Sequence, residues 1–268
     1  MEPGDKEWRV HDDRNKVVSD FYRAMRSKQS YEYVLRMEAK YCSSFDRPMS
    51  VFDAMTALNV LVDQSDPDIS LPNVQHLFQV AEAIRGAGAP EWMVVTGLVH
   101  DLGKMMFLKG CDEDGTGLVE QWGLVGDTWV VGCRLPDTLV FPEFNGLNPD
   151  RDHSVYGTEP GAYREGCGLR NVHLAWGHDE YLWRVLRNHS GCRLPPEALA
   201  MIRWHSFYPW HAGGSYAALT DAHDDAMLPH VRVSDCGSSC FVGCLPRTRP
   251  LKSTTSTRRT RPFTTCQR

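Results

Sequence analysis

GLVHDLGK, residues 97–104, decides how this chain is read. His100 and Asp101 set an imidazole and a carboxylate side by side, and Lys104 follows four residues after the first and three after the second. On a helix that spacing puts all three on one face. A carboxylate has two oxygens and can bridge two metal ions, while neutral imidazoles fill terminal positions. The surrounding segment EWMVVTGLVHDLGKMMFL (91–108) reads as one apolar helix with Pro90 at its first turn.

Working outward, three more predicted helices each offer a histidine. His76 opens HLFQVAEAIRGAG (76–88), which its glycines stop. His178 opens HDEYLWRVLRN (178–188), and His205 lies in PPEALAMIRWHSF (195–207), where paired prolines suit a helix start. Apolar residues also recur at helical spacing through 17–41 and 50–62, with Ser50 as an N-cap for the latter. DQSDPDISLPN (63–73) is dense in turn formers and reads as an ordered loop. Residues 109–171 are rich in Gly, Pro, Asp and Asn, with only short β-type runs such as TWVV (128–131); they read as a long irregular excursion over one face. With about six to eight helices and little strand, the class is all-α.

Each piece alone is weak. The chain has 11 histidines, and a single one is more often an ordinary core or surface residue. His11, His153, His173, His189, His211, His223 and His230 are read that way. An Asp in DQSDPD, or the pair Gly126-Asp127, is on its own as readily a turn.

Composition narrows the class. Hydrophobic residues make up 42% and charged residues 24% of 268, which supports a real core. No apolar run is long enough for a membrane span, and the charged N-terminus has no signal core, so the expectation is a cytoplasmic protein. Nine scattered cysteines then read as free thiols. A net charge of −5 argues against nucleic acid as partner. That average hides a split: 1–232 carries −11, whereas 233–268 carries seven Lys/Arg against one acid, Asp235, with 12 Ser/Thr and four cysteines. The expected organisation is an N-terminal segment 1–16, a helical domain 17–232 and a disordered tail 233–268.

The order His, His-Asp, His, His on helices resembles the metal-binding pattern of the HD-domain superfamily. That resemblance implies a helical bundle with one or two metals and leaves phosphohydrolases and oxygenases both open. Longer motifs separate them. VDQSDPD (62–68), LPN..H.FQ.AE (71–82), GLVHDLGK (97–104), QWGLVGDTWVVGC (121–133), WGHDEYL (176–182), LPPEA..MIR.HSFYPWH (194–211) and AMLP.VR (226–232) closely resemble the myo-inositol oxygenase family, from about residue 17 to 232. The resemblance implies a non-haem di-iron enzyme that opens the ring of myo-inositol with dioxygen and gives D-glucuronate. His76, His100, Asp101, His178 and His205 stand at iron-ligand positions, with Asp101 bridging. Asp63, Gln64, Ser65, Lys104, Gly126, Asp127, His205 and Ser206 stand at substrate positions, and Arg14, or else Arg9, matches an N-terminal substrate arginine. Lys104 and Asp101 are the catalytic candidates. A monomer is expected.

The tail departs from that pattern. The family has a further iron-ligating aspartate and, one turn later, a substrate-binding lysine; these positions fall at Ser238 and Val242. Asp235 is three residues early. Cys236, Cys240 and Cys244 do not have the usual zinc spacing. The break is read as an altered reading frame or exon boundary, which the transcript across the codon for Arg232 tests. Two alternatives therefore stand beside the oxygenase: an impaired version lacking one ligand, and an HD-domain phosphohydrolase, for which Lys104 alone is a thin supply of phosphate-binding charge.

Overall fold

The computed structural model describes residues 12–45, 48–66 and 72–234. Among these, nine α-helices run in chain order: α1 Asp12–Lys28, α2 Tyr31–Cys42, α3 Val51–Ala57, α4 Asn73–Gly86, α5 Glu91–Val99, α6 His178–Asn188, α7 Pro196–Trp204, α8 Tyr208–His211 and α9 Ala222–Ser234. The one β-type pairing among the described residues is an isolated antiparallel bridge between Val130 and Leu174. The fold is therefore all-α, as the periodicity predicts. Arg9, Asp235, Ser238, Val242 and the rest of the tail lie outside the described residues, and so do residues 67–71 of the expected loop.

The 17–41 periodicity is two helices, not one. The break falls at Gln29-Ser30. Ser30 caps α2 by accepting the N–H of Tyr33 at 3.1 Å. Gln29 is fully buried. Its Nε2 donates to the carbonyls of Trp122 (2.8 Å) and Trp176 (2.9 Å), and its Oε1 accepts from the N–H of Trp176 (2.6 Å). A helix running through this point would carry that amide away from partners it must have once buried. Ser50 caps α3 as expected, but this helix ends at Ala57 and gives way to a 3-10 turn, Leu58–Val60.

Residues 109–171 are irregular, with short 3-10 turns at Asp112–Asp114, Pro142–Leu147 and Leu169–Asn171. The excursion is nonetheless fixed to α1 and α2. Asn148 donates to the carbonyls of Arg26 and Gln29, each at 3.0 Å, and Asp150 accepts from the N–H of Tyr31. The Arg26 guanidinium, 1% exposed, lies 4.3 Å over the Trp129 ring and donates to the carbonyl of Val140. The core is continuous from Met25 and Val34 through Leu77 and Met106 to Trp129 and Trp176. α4 packs on α5, α6 on α7, and α9 covers α7.

Candidate metal centre

The helix expected over 91–108 stops at Val99. His100 and Asp101 form the joint between α5 and a 3-10 turn, Leu102–Leu108, and Asp101 takes φ −97°, ψ 1°. The cause is tertiary. A Cβ on Gly103 would lie 1.8 Å from the carbonyl oxygen of His178, so only glycine lets this turn rest on the start of α6. Breaking the helix there turns Asp101 into the space between four helix ends.

Four histidines converge on that carboxylate. Oδ2 of Asp101 is 3.9 Å from His76 Nε2 and 3.6 Å from His100 Nε2. Oδ1 is 3.1 Å from His178 Nε2 and 3.5 Å from His205 Nε2. Two atoms that each sit about 2.1 Å from one ion are at most about 4.2 Å apart, and all four separations fall inside that limit. Each carboxylate oxygen thus faces its own pair: His76 and His100 on one side, His178 and His205 on the other.

The donor set fits a cation. Backbone carbonyls face Nδ1 of three of the rings: Gly97 for His100 (2.8 Å), Leu124 for His178 (3.0 Å) and Ile202 for His205 (2.8 Å). A carbonyl only accepts, so each Nδ1 carries the proton and each Nε2 presents a lone pair. Nε2 of His178 and Nε2 of His205 then face each other at 3.0 Å, acceptor against acceptor, beside the anionic Oδ1. With both rings in that form, a cation among these three atoms would relieve the repulsion between them. Burial pulls His100 down to about 3, and burial also lowers His76, against the opposing pull of Asp101; neutral imidazoles are the metal-binding form. Asp101 is the reverse case. Burial would raise it, but the Lys104 ammonium, with the histidines, holds it well below the usual carboxylate range.

Lys104 lies 5% exposed, with Nζ donating to Asp63 (2.7 Å) and Asp101 (2.8 Å). Burial disfavours its charge, yet the two carboxylates raise it above the ordinary lysine value. Asp63 in turn accepts the N–H and hydroxyl of Ser65, a turn that aims its other oxygen at Lys104. Gln64 goes elsewhere: its N–H meets Gln121 and its side chain donates to the carbonyl of Val119.

A second group borders this one. Tyr22 of α1, buried, donates to Asp127 at 3.0 Å, and its hydroxyl is held protonated by burial and then by Asp127 and Asp63. The N–H of Thr128 meets the carbonyl of Ser206, which sets Asp127 near the end of α7. Gly126 has φ +94°, and a Cβ there would press on Phe21 at 2.9 Å, so the glycine serves the turn and the packing against α1. Arg14 falls in α1, but its side chain is outside the description.

Sequence reading missed several contributors. Asn73 donates to Asp101 Oδ2 at 3.4 Å. Tyr22 carried no sign beyond an aromatic at core spacing. Asp179 is fully buried beside His178, its Oδ2 has no hydrogen-bond partner among the described residues, and burial pushes it up to about 7. No described helix is long and apolar enough to cross a membrane.

Comparison with known proteins agrees with this geometry. The profile of the family described as myo-inositol oxygenase matches residues 15–236. The chain is 39% identical over 232 residues to an inositol oxygenase of Dictyostelium discoideum, covering 85% of this chain and 77% of that one. It is 44% identical over 213 residues to an inositol oxygenase of Mus musculus (79% and 72%), and 39% over 229 residues to inositol oxygenase 4 of Arabidopsis thaliana (85% and 70%). A match that runs through the histidine-bearing helices and the excursion alike means that this chain belongs to the myo-inositol oxygenase family.

Proposed function

We propose that the chain is an inositol oxygenase that converts myo-inositol to D-glucuronate in the cytoplasm, with dioxygen as co-substrate and two iron ions that Asp101 and the four histidines would hold. The observation that carries this reading is the single carboxylate with one oxygen turned to each of two histidine pairs. His76 and His100 would hold one ion, His178 and His205 the other. When bound, the irons supply Lewis acidity toward the substrate's oxygens and the redox chemistry of dioxygen.

The protein's own groups do the rest. Asp63 and Asp101 use two of the three Lys104 N–H bonds, which fixes Nζ and leaves one donor for a substrate hydroxyl. That donor would favour negative charge on the substrate oxygen it meets. The substrate is a neutral polyol, so hydrogen bonds select it. Asp127, oriented by Tyr22, accepts; Ser65, Ser206 and the backbone near Gly126 complete the candidate set, and Arg14 is kept as the N-terminal candidate. We take the chain as a monomer divided at about residues 17 and 233.

Ser238, where the family has a further ligating aspartate, favours a second reading: one ion held weakly and turnover impaired. Dioxygen uptake by ferrous-loaded protein, with and without myo-inositol, separates the two when glucuronate and iron are assayed in the same samples. Inositol-dependent uptake with matching glucuronate is the expected result. Substoichiometric iron with no uptake selects the impaired version. A full complement of iron with no uptake overturns the oxygenase.

A further inference from the structure

A cleft of about 230 Å³ opens between α2, the segment 170–173 and α6. None of the metal-centre residues lines it. Its walls are Arg170, Arg184, Arg187, Arg203, His173 and the indole of Trp183, with two asparagine amides and no carboxylate. Cys42 adds no negative charge, because burial pushes its thiol up to about 11.

Carboxylates stand behind the arginines and not between them. Glu180, wholly buried, accepts from Arg203 Nε and Arg184 Nε, each at 2.7 Å. Glu38 accepts from Arg184 Nη2 at 2.6 Å and faces Nδ1 of His173 at 2.9 Å. Asp221 takes Arg170 Nη2 at 2.8 Å. Arg203 is spent on Glu180 and on the carbonyls of Leu169 and Val172, so it forms a fixed back wall. Three guanidinium groups keep unused donors. Nη1 of Arg184, and Nε and Nη1 of Arg170, have no partner among the described residues. Arg187 has no ion pair there at all, and rests 5.0 Å over Trp183. Four arginines stand against three carboxylates, which leaves a surplus of positive charge at the cleft wall.

We propose that this cleft is a second binding site, for a small ligand bearing a carboxylate or phosphate group, gripped by Arg170, Arg184 and Arg187. Planar guanidinium forks match both oxyanions. The volume lies below the roughly 300–1,000 Å³ of pockets for drug-sized ligands, which limits the occupant to a small metabolite or an inorganic anion. The site does not depend on the oxygenase reading, because its residues are separate from the centre.

Calorimetric titration of the metal-loaded protein with inorganic phosphate and, separately, with D-glucuronate tests the proposal. At least one probe is expected to saturate a single site. Arg170→Gln and Arg187→Gln should each weaken it about tenfold, and the double variant should abolish it. Arg187→Lys should keep part of the affinity, since the charge remains and the fork is lost. Both positions are exposed, and unchanged helical dichroism and iron content confirm intact variants. Binding of phosphate alone assigns a phosphate-type ligand, and of glucuronate alone a carboxylate. Failure of both probes to bind, or binding undiminished in the double variant, overturns the site.

Discussion

His178 and His205 reach Asp101 from the start of α6 and the end of α7, whereas His76 and His100 reach it from α4 and the end of α5. The first pair is built tightly. Both rings are fixed through Nδ1 by backbone carbonyls, and their Nε2 atoms are already within a coordination distance of each other. The buried Glu180–Arg203 ion pair locks α6 to α7 two residues from each histidine. The second pair has one such carbonyl contact, at His100, and more of His76 is open to solvent. Pre-set ligands lose less freedom on binding, so the α6–α7 half should hold its ion more tightly.

The harshest way to break this comparison is to remove what the halves share. Asp101→Asn should cost both ions and more than about 100-fold in glucuronate formation, beyond what loss of a mere supporting group costs. One ion retained in that variant would show the halves to be independent. Next in size, His178→Ala should strip iron from the centre, while His76→Ala should leave the α6–α7 ion in place; iron per chain after dialysis ranks the two, and equal losses erase the asymmetry.

Acid should separate the halves differently. The His100 value near 3 lies below the unfolded 6.5, so between those limits the unfolded chain binds more protons and stability falls as pH falls. For His100 the slope is about 1.4 kcal/mol per pH unit, with His76 adding in the same direction. Asp63 and Asp101, both depressed, add losses only as pH falls through the ordinary carboxylate range and below. Urea unfolding of metal-free protein at pH 7 and pH 5 reads this, and His100→Asn should flatten the slope. The smallest effect is expected at Tyr22→Phe, which deletes one hydrogen bond to Asp127: a rise in KM for inositol of about threefold to tenfold, with iron content unchanged. A loss of iron there would tie Tyr22 to the centre and not to the substrate.

Much of this was legible in GLVHDLGK and its companions, because metal ligands demand particular side chains and the helices around them have regular period. α6 begins and ends where its pattern says. What escaped reading has a common cause: contact between distant segments. The break at His100-Asp101 comes from Gly103 meeting the His178 carbonyl, 75 residues on, and no local propensity announces it. The break at Gln29 comes from partners at 122 and 176. Tyr22 looked like any core aromatic until Asp127 was beside it. The irregular stretch 109–171 was expected to be irregular, but the buried amides that fasten it to α1 and α2 leave no pattern in the sequence.

Gln29 also sets an order of assembly. Its side chain joins the end of α1 to Trp122 and to Trp176, 93 and 147 residues away, and Trp176 stands two residues before His178. Contacts of such separation close late, after local helices have formed. The α6–α7 half, the more rigid once made, is therefore also the half expected to wait for the end of α1 to reach Trp176. Metal offered early in refolding should therefore meet the His76–His100 side first, with the α6–α7 side following.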